Sequence, residues 1–435
     1  MILANGKRLE SAMQDTVLDG LEERLNETLL KPAPTAEAVI YAIDELGRRV
    51  ASGAFDAQIA SLQIDGAEEY RELAIRLLRR DYLEFKLRTE LGADFSPDRI
   101  TSPPEGLKKL RVLTRPLGVL LHIAAGNADG LPAFSVAEGL VTGNINLLKL
   151  PQADNGLSLA IIEALINIEP SLADYIYVFD TPSSDVAAIK RMADLSDGIV
   201  VWGGEAAVSA VRRFARPGTK LIEWGHRLSF AYLSGACPAE ELSALAEHIS
   251  ATRQLLCSSC QVVYLNTPDM DKLFSFCDRF FPILEAAEKR RRPSTLGAVA
   301  ELSLRSRTDR LEAIIDGGAK KPWSSPLCSL IPKEDSLLEL SPMFGRVLVK
   351  RLPREQILPT LRRSKQYLQT AGLSCPPEER EPLSELLIRS GVTRITSLGS
   401  MSASLPGEAH DGEYPLRRYL RTVNTELQLN LLNGG

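Results

Sequence analysis

Two runs decide the reading of this chain: Lys220-Leu221-Ile222-Glu223-Trp224-Gly225-His226-Arg227-Leu228-Ser229 and, further on, Gln254-Leu255-Leu256-Cys257-Ser258-Ser259-Cys260-Gln261-Val262-Val263-Tyr264-Leu265. The first reads as a buried strand that carries a carboxylate, Glu223, into a glycine turn. The second reads as a helix end that presents a thiol, Cys257, ahead of another buried strand. A thiolate is a strong nucleophile and a carboxylate can move its proton, so the two at one cleft are the parts of a covalent thioester enzyme.

Outward from these runs, short apolar segments alternate with helical ones. Strand candidates are Gly118–Ile123, Asn146–Leu150, Tyr175–Phe179, Gly198–Trp202 and Lys220–Glu223, with helices over Leu131–Leu140 and Ser158–Ile168 between them. Such alternation predicts a parallel sheet covered by helices, with ligands held beyond the carboxyl ends of the strands. A second α/β block follows. It comprises a helix over Ala239–Leu256, a strand over Gln261–Leu265, a helix over Met270–Glu288 broken by Pro282, a strand over Arg346–Lys350 and a helix over Leu383–Ser390. Leu311–Ile315 runs into a turn at Asp316-Gly317-Gly318. Residues 1–100 carry helical periodicity over Ala36–Ala60 and Ala67–Leu91. The expected organisation is a helical N-terminal segment over 1–100, a cofactor domain over 101–228, a catalytic domain over 229–390 and a C-terminal segment over 391–435. That last segment returns to the cofactor domain or serves an oligomer contact, and its Arg417–Leu432 stretch is amphipathic.

The 435 residues are 44% hydrophobic and 25% charged, with a net charge of −5. That composition is globular and offers no basic face for nucleic acid. The one basic block, Lys289-Arg290-Arg291-Arg292, reads as a solvated loop. No apolar run reaches membrane-span length, the first residues lack a signal-peptide pattern, and six scattered cysteines make no disulfide framework, so a cytoplasmic setting is expected.

Several motifs carry candidate chemistry. In Ile123-Ala124-Ala125-Gly126-Asn127, a strand ends in small residues. Asn127 there is either an uncharged donor to a developing oxyanion or a residue suited to a left-handed turn. Lys149 closes a strand at the ligand edge and either meets a ribose hydroxyl or phosphate or is simply solvated. Gly203-Gly204, between a strand and a helix, allows close approach of a pyrophosphate to a helix N-terminus. Cys257 and Cys260 form a Cys-x-x-Cys with three readings: half a zinc site, a redox pair, or a nucleophile and a bystander. No second Cys-x-x-Cys or His-x-x-x-His completes a zinc site, so no metal is expected. His226, beside the Glu223 turn, either touches the cofactor or thioester or is a structural hydrogen-bonded histidine, and His410 reads as structural.

Taken in order, these segments resemble the aldehyde dehydrogenase superfamily: an Asn after the first strand, Gly-Asn-x-x-x-x-Lys, Gly-Gly before a helix, Glu-x-Gly, then Gln-x-x-Cys and a strand. Within it the chain resembles the LuxC-type acyl-CoA reductases, through Gly126-Asn127, Glu223 to Phe230, Cys257-Ser258-Ser259, Leu368 to Gly372 and His410-Asp411-Gly412. The resemblance implies an aldehyde dehydrogenase-like α/β fold of two parallel-sheet domains with a helical N-terminal extension. It implies Cys257 as nucleophile, the run Cys257 to Gln261 being similar to the Cys-Ala-Ser-x-Gln of CoA-acylating relatives. Asn127 and Glu223 are implied as catalytic partners, with Lys149, Gln152, Gly203, Gly204, Gly225 and Phe344 at the cofactor.

One departure is Pro342, which stands where hydrolytic members hold a ribose-binding carboxylate before Phe344-Gly345. This weighs against aldehyde oxidation. The neutral Gln152, where NAD-preferring members often hold an acid, admits NADPH as well as NADH. The implied reaction is reduction of an acyl-CoA or acyl-protein thioester to an aldehyde. The alternatives are oxidation of an aldehyde to an acid and a catalytically idle scaffold. An acyl-protein synthetase partner and a homo-oligomer are further implications.

Overall fold

A computed structural model describes residues 1–61, 67–92, 97–102, 109–124, 130–152, 154–291, 323–403, 405 and 407–427, with isolated positions between 300 and 311. The chain divides into two compact units, residues 1–225 with 405–435, and residues 226–404.

The first unit is built on a seven-stranded sheet. Its strands are β1 (Ile2–Ala4), β2 (Lys7–Leu9), β5 (Val119–Ile123), β6 (Ile145–Lys149), β7 (Ile176–Phe179), β8 (Gly198–Trp202) and β9 (Lys220–Trp224). Two more strands, β3 (Asp98–Thr101) and β4 (Lys109–Pro116), lie outside it. The order is β2-β1-β7-β6-β5-β8-β9, parallel from β7 to β9. The central strands are mainly apolar and buried on both faces, with His122 on β5 and Asn146 on β6 as buried polar interruptions. Leu120, Leu121, Leu147, Leu148, Ile199 and Val200 are all fully buried.

The N-terminal hundred residues are mostly helical as expected, but not throughout. Helices do occupy Ala36–Ala51, Asp56–Ser61, Ala67–Leu78 and Arg80–Leu91, but the chain opens with a β-hairpin that joins the sheet antiparallel to β7. Its cause is Asn5-Gly6. Both residues take positive φ, 51° and 70°, as a two-residue hairpin turn requires.

The second unit carries β10 (Leu228–Leu233), β11 (Cys260–Leu265), β12 (Ser329–Lys333), β13 (Arg346–Arg351), β14 (Leu368–Ser374) and β15 (Arg394–Thr396). Together they form a wholly parallel sheet in the order β12-β13-β11-β10-β14-β15. Pro282 does not break its helix, which runs unbroken over Met270–Arg290. An interior proline costs about 3 kcal/mol. Burial of Leu273, Phe276, Cys277, Phe280, Leu284 and Ala287 offsets that, at roughly 1.5–3 kcal/mol per large apolar side chain. The helix expected over Leu383–Ser390 begins earlier, at Pro377. The expected turn at Asp316-Gly317-Gly318 lies outside the described residues.

The amphipathic C-terminal stretch is mostly strand among its described residues. After a short helical turn at Pro415–Arg418, β16 (Leu420–Leu427) pairs along its whole length with β4. It forms a three-stranded antiparallel sheet, β16-β4-β3, in the first unit.

Candidate functional site

In the first unit the strand order reverses between β5 and β8. β5 proceeds to β6 and β7 on one side, and β8 and β9 lie on the other. Ligands of open parallel sheets sit at this reversal, beyond the carboxyl ends. The segment after β5, with Asn127, lies outside the described residues. After β8 come Gly203 and Gly204, then the helix Glu205–Phe214. Gly204 is its N-cap, extended and with no side chain to cap the first turn. A Cβ there would meet open space, whereas one on Gly203 would press on Ala207 Cβ at 3.0 Å. Backbone N–H groups at such a helix start favour an anion.

Lys149 ends β6 with its stem buried. Its ammonium donates to Ser183 Oγ at 3.0 Å, and burial lowers its pKa. Gln152 is exposed in the turn that follows. A lysine, a hydroxyl and an uncapped helix start at the carboxyl edge fit the phosphates and ribose hydroxyls of a dinucleotide.

Behind that edge His122, Ser135, Asn146 and Trp202 form a hydrogen-bonded set. His122, on β5, is wholly buried between Ser135 Oγ (2.7 Å) and Asn146 Oδ1 (3.0 Å), and burial pushes it down to about 4, so it is neutral at physiological pH. The Trp202 indole N–H donates to the same Ser135 hydroxyl at 3.2 Å. Trp202 and Trp224 are register partners at the ends of β8 and β9, and His410 packs on both, with ring centroids 5.2 and 4.8 Å away. Nothing in the local sequence marks this three-ring cluster, since His410 lies far along the chain.

Glu223 is half-buried on β9, on the face toward the helix Glu205–Phe214. Its carboxylate accepts two hydrogen bonds of 2.6 Å from the Arg212 guanidinium. Sequence reading missed Arg212, which has the spacing of an ordinary solvated helical arginine. Gly225, the last residue of the first unit's N-terminal segment, is partly exposed, and a Cβ on it would meet nothing within 4 Å.

In the second unit the helix before Cys257 ends at Thr252, earlier than expected. Arg253 and Gln254 then take left-handed φ of 47° and 62°, which no α-helix continues, so Cys257 stands on a turn rather than on a helix end. That turn is closed by Ser259. Its Oγ accepts from Leu256 N at 3.0 Å, and its N donates to Leu256 O at 2.9 Å. It is anchored to β10 by Ser229 Oγ, which donates to the Cys257 carbonyl at 2.7 Å.

All six cysteines lie among the described residues and none forms a disulfide. Four are buried, Cys375 is partly covered and Cys257 is exposed. Cys260 is fully buried, and burial pushes its thiol up to about 12, so it stays protonated. Phe344, half-buried, lies in the 341–346 loop, and its N–H donates to the Arg253 carbonyl at 3.0 Å. The structure thus joins the Cys257 and Phe344 segments within one unit, and gathers Lys149, Gly203, Gly204 and Glu223 on the other. His226 is exposed, its ring 6.3 Å from that of Tyr367. Among the described residues no cluster of three His, Cys, Asp or Glu could hold a metal ion, and no helix is long and apolar enough to cross a membrane.

Two parallel-sheet units of these orders, one with a glycine turn at its strand reversal and the other with an exposed cysteine before a central strand, define an aldehyde dehydrogenase-like protein. The solved structure of glyceraldehyde-3-phosphate dehydrogenase from Methanocaldococcus jannaschii, complexed with NADP, is similar over 97% of this chain and 95% of its own. Its TM-score is 0.70 at 12% identity. Within that class, the chain belongs to the LuxC family of acyl-CoA reductases, whose model matches residues 32–422. Relatives include the long-chain acyl-protein thioester reductase of Vibrio harveyi, 25% identical over 82% of this chain and 74% of the relative. The enzyme of the same name from Aliivibrio fischeri is 23% identical over 73% of this chain. The chain spans 66% of that relative's length.

Proposed function

We propose that this chain reduces an acyl thioester to an aldehyde with NADPH or NADH, through an acyl group carried on Cys257. The observation that carries the reading is the exposed Cys257 thiol on a turn pinned by Ser229 and Ser259, in a chain whose other cysteines are buried or partly covered. Family membership and the printed names of the relatives support acyl thioester reduction. Both an acyl-CoA and an acyl-protein present the same reacting group, a thioester carbonyl.

Cys257, as thiolate, attacks that carbonyl. Its sulfur–carbon bond forms, the carrier's carbon–sulfur bond breaks, and the carrier leaves as a thiol after taking a proton. When bound, a reduced nicotinamide would supply the hydride that the acyl carbon on Cys257 takes up. Cys257 then leaves as thiolate when the resulting thiohemiacetal collapses, which releases the aldehyde. Both addition steps place negative charge on one oxygen. The Asn127 amide and the Cys257 backbone N–H are the proposed donors, and loss of one such donor typically costs about 2.7–4 kcal/mol of barrier. Lys149, Gly203, Gly204, Gly225, Gln152 and Phe344 are the proposed cofactor contacts. Glu223 can exchange a proton with Cys257 only when its pair with Arg212 opens, so its part here is secondary. The same pairing keeps it from activating water, which would waste the acyl group as free acid.

The test is a series of acyl-CoAs of graded chain length, and an acyl-protein, offered with NADPH or NADH. Aldehyde formation is followed, and the Cys257 peptide is weighed after quenching without cofactor. Aldehyde together with an acyl mass on Cys257 is expected. Free acid from an aldehyde plus oxidised cofactor, with no reduction of thioesters, would overturn the proposal in favour of aldehyde oxidation.

A further inference from the structure

Among the described residues, six non-glycine residues have positive φ, and four of them fall in two loops of the second unit: Arg253 and Gln254 before Cys257, and Met343 and Phe344 after Pro342. Left-handed backbone at ordinary side chains persists only where surrounding bonds over-determine it. Those bonds converge on Gln261. Its amide N–H₂ donates to the Gln254 carbonyl at 2.8 Å. Its amide oxygen accepts from Ser341 Oγ at 2.7 Å and from Ser341 N at 3.3 Å. Ser341 Oγ in turn accepts from Met343 N at 3.1 Å, and Phe344 N returns to the Arg253 carbonyl. Gln254 Nε2 completes the ring by donating to the Cys260 carbonyl at 2.9 Å. Gln254, Gln261 and Ser341 are all at least 96% buried, so none of these bonds is exchanged cheaply for water.

We propose that Gln261 is a positioning residue that locks the Cys257 turn and the 341–346 loop into one rigid piece, so that nucleophile and cofactor loop are set together. Its need for both a donor and an acceptor explains a glutamine at this place, because an ionised glutamate accepts only. The functional half of the inference rests on Cys257 as nucleophile and Phe344 as a cofactor contact. The mechanical half does not.

Both halves are tested on the full chain with Gln261→Ala, Gln261→Glu and the milder Ser341→Ala. Hydrogen exchange of peptides covering 254–260 and 341–346 is expected to accelerate together by about tenfold or more in each variant, while β10 is unchanged. In the same variants the rate of Cys257 alkylation by iodoacetamide and the KM for NADPH should shift together, by roughly fivefold or more, with kcat lowered. Exchange that changes in one loop alone, or in neither, overturns the lock. Linked exchange with unchanged alkylation and unchanged KM overturns the positioning role. If Gln261→Ala fails to fold, Ser341→Ala, which removes only the hydroxyl bonds, decides by the same readouts. Wild-type protein without thioester reduction would sink the proposed function but leave the exchange result to judge the lock.

Discussion

Arg212 grips the Glu223 carboxylate through two parallel hydrogen bonds of 2.6 Å, the planar fork of the guanidinium matching both oxygens. A carboxylate so held is a poor partner for water. Glu223→Gln is therefore expected to leave aldehyde formation within about threefold of the parent, far short of the loss that follows removal of an essential acid or base. Arg212→Ala should raise the fraction of acyl groups released as free acid. Product partition measured by chromatography checks both. A Glu223→Gln variant with no reductase activity would show that the carboxylate leaves Arg212 during turnover.

The two cysteines of the Cys-x-x-Cys should separate cleanly. Cys257→Ala is expected to lose on the order of 10⁴-fold or more in rate and all acyl adduct, as for other deleted nucleophiles. Cys260→Ala removes a buried, hydrogen-bonded sulfur whose burial keeps it protonated. It should cost stability, about 1–2 kcal/mol, and leave the acyl adduct on Cys257 intact. Mass measurement of the quenched peptide and a denaturant titration give the two answers.

Gly204→Ala distinguishes a ligand role from a folding role. The backbone there is extended and a Cβ would meet open space, so the melting temperature should not move. If a dinucleotide phosphate occupies that space, its affinity falls by roughly tenfold, equivalent to about 1.4 kcal/mol. Calorimetric titration with NADPH reads this directly. Unchanged affinity would place the phosphate elsewhere.

Stability should fall as the solution is acidified through the histidine range. His122 is held near 4 by burial against an unfolded value of 6.5. Between those values the unfolded chain binds a proton that the native chain refuses. The contribution is therefore complete above pH 6.5 and is lost progressively toward pH 4. The full span is about 3 kcal/mol, at 1.36 kcal/mol per pKa unit. His248, in the second unit and also near 4, adds a similar slope there. Urea midpoints at pH 7 and pH 5 should differ clearly in the parent and less in His122→Gln.

The parallel sheets were readable because their strands are apolar runs of the right length between helical periods. Gly198–Trp202 was read at its true limits, and Val119–Ile123 within one residue. Periodicity does not mark the opening hairpin, although Asn5-Gly6 announces it, because a short apolar run of this length carries little periodic signal. The amphipathic pattern of the C-terminal stretch does not specify its strand, because exposed residues spaced so fit an edge strand as well as a helix. At the site, types and order of residues pointed to Cys257, but Arg212 and Ser341 were invisible. Their importance comes from which side chains the folded chain sets opposite them, and nothing in their local sequence marks it.

The first unit is discontinuous. β16 lies along β4, and the Tyr419 carbonyl accepts from Leu117 N and Asn144 Nδ2 inside it. During synthesis the ribosome must therefore deliver the whole of residues 226–404, an uninterrupted unit able to collapse by itself, before the earlier half receives its last strand. Until then Leu117 and Trp224 lack the cover of Leu416 and Tyr419. The first unit thus waits with part of its apolar core uncovered while the second unit is made.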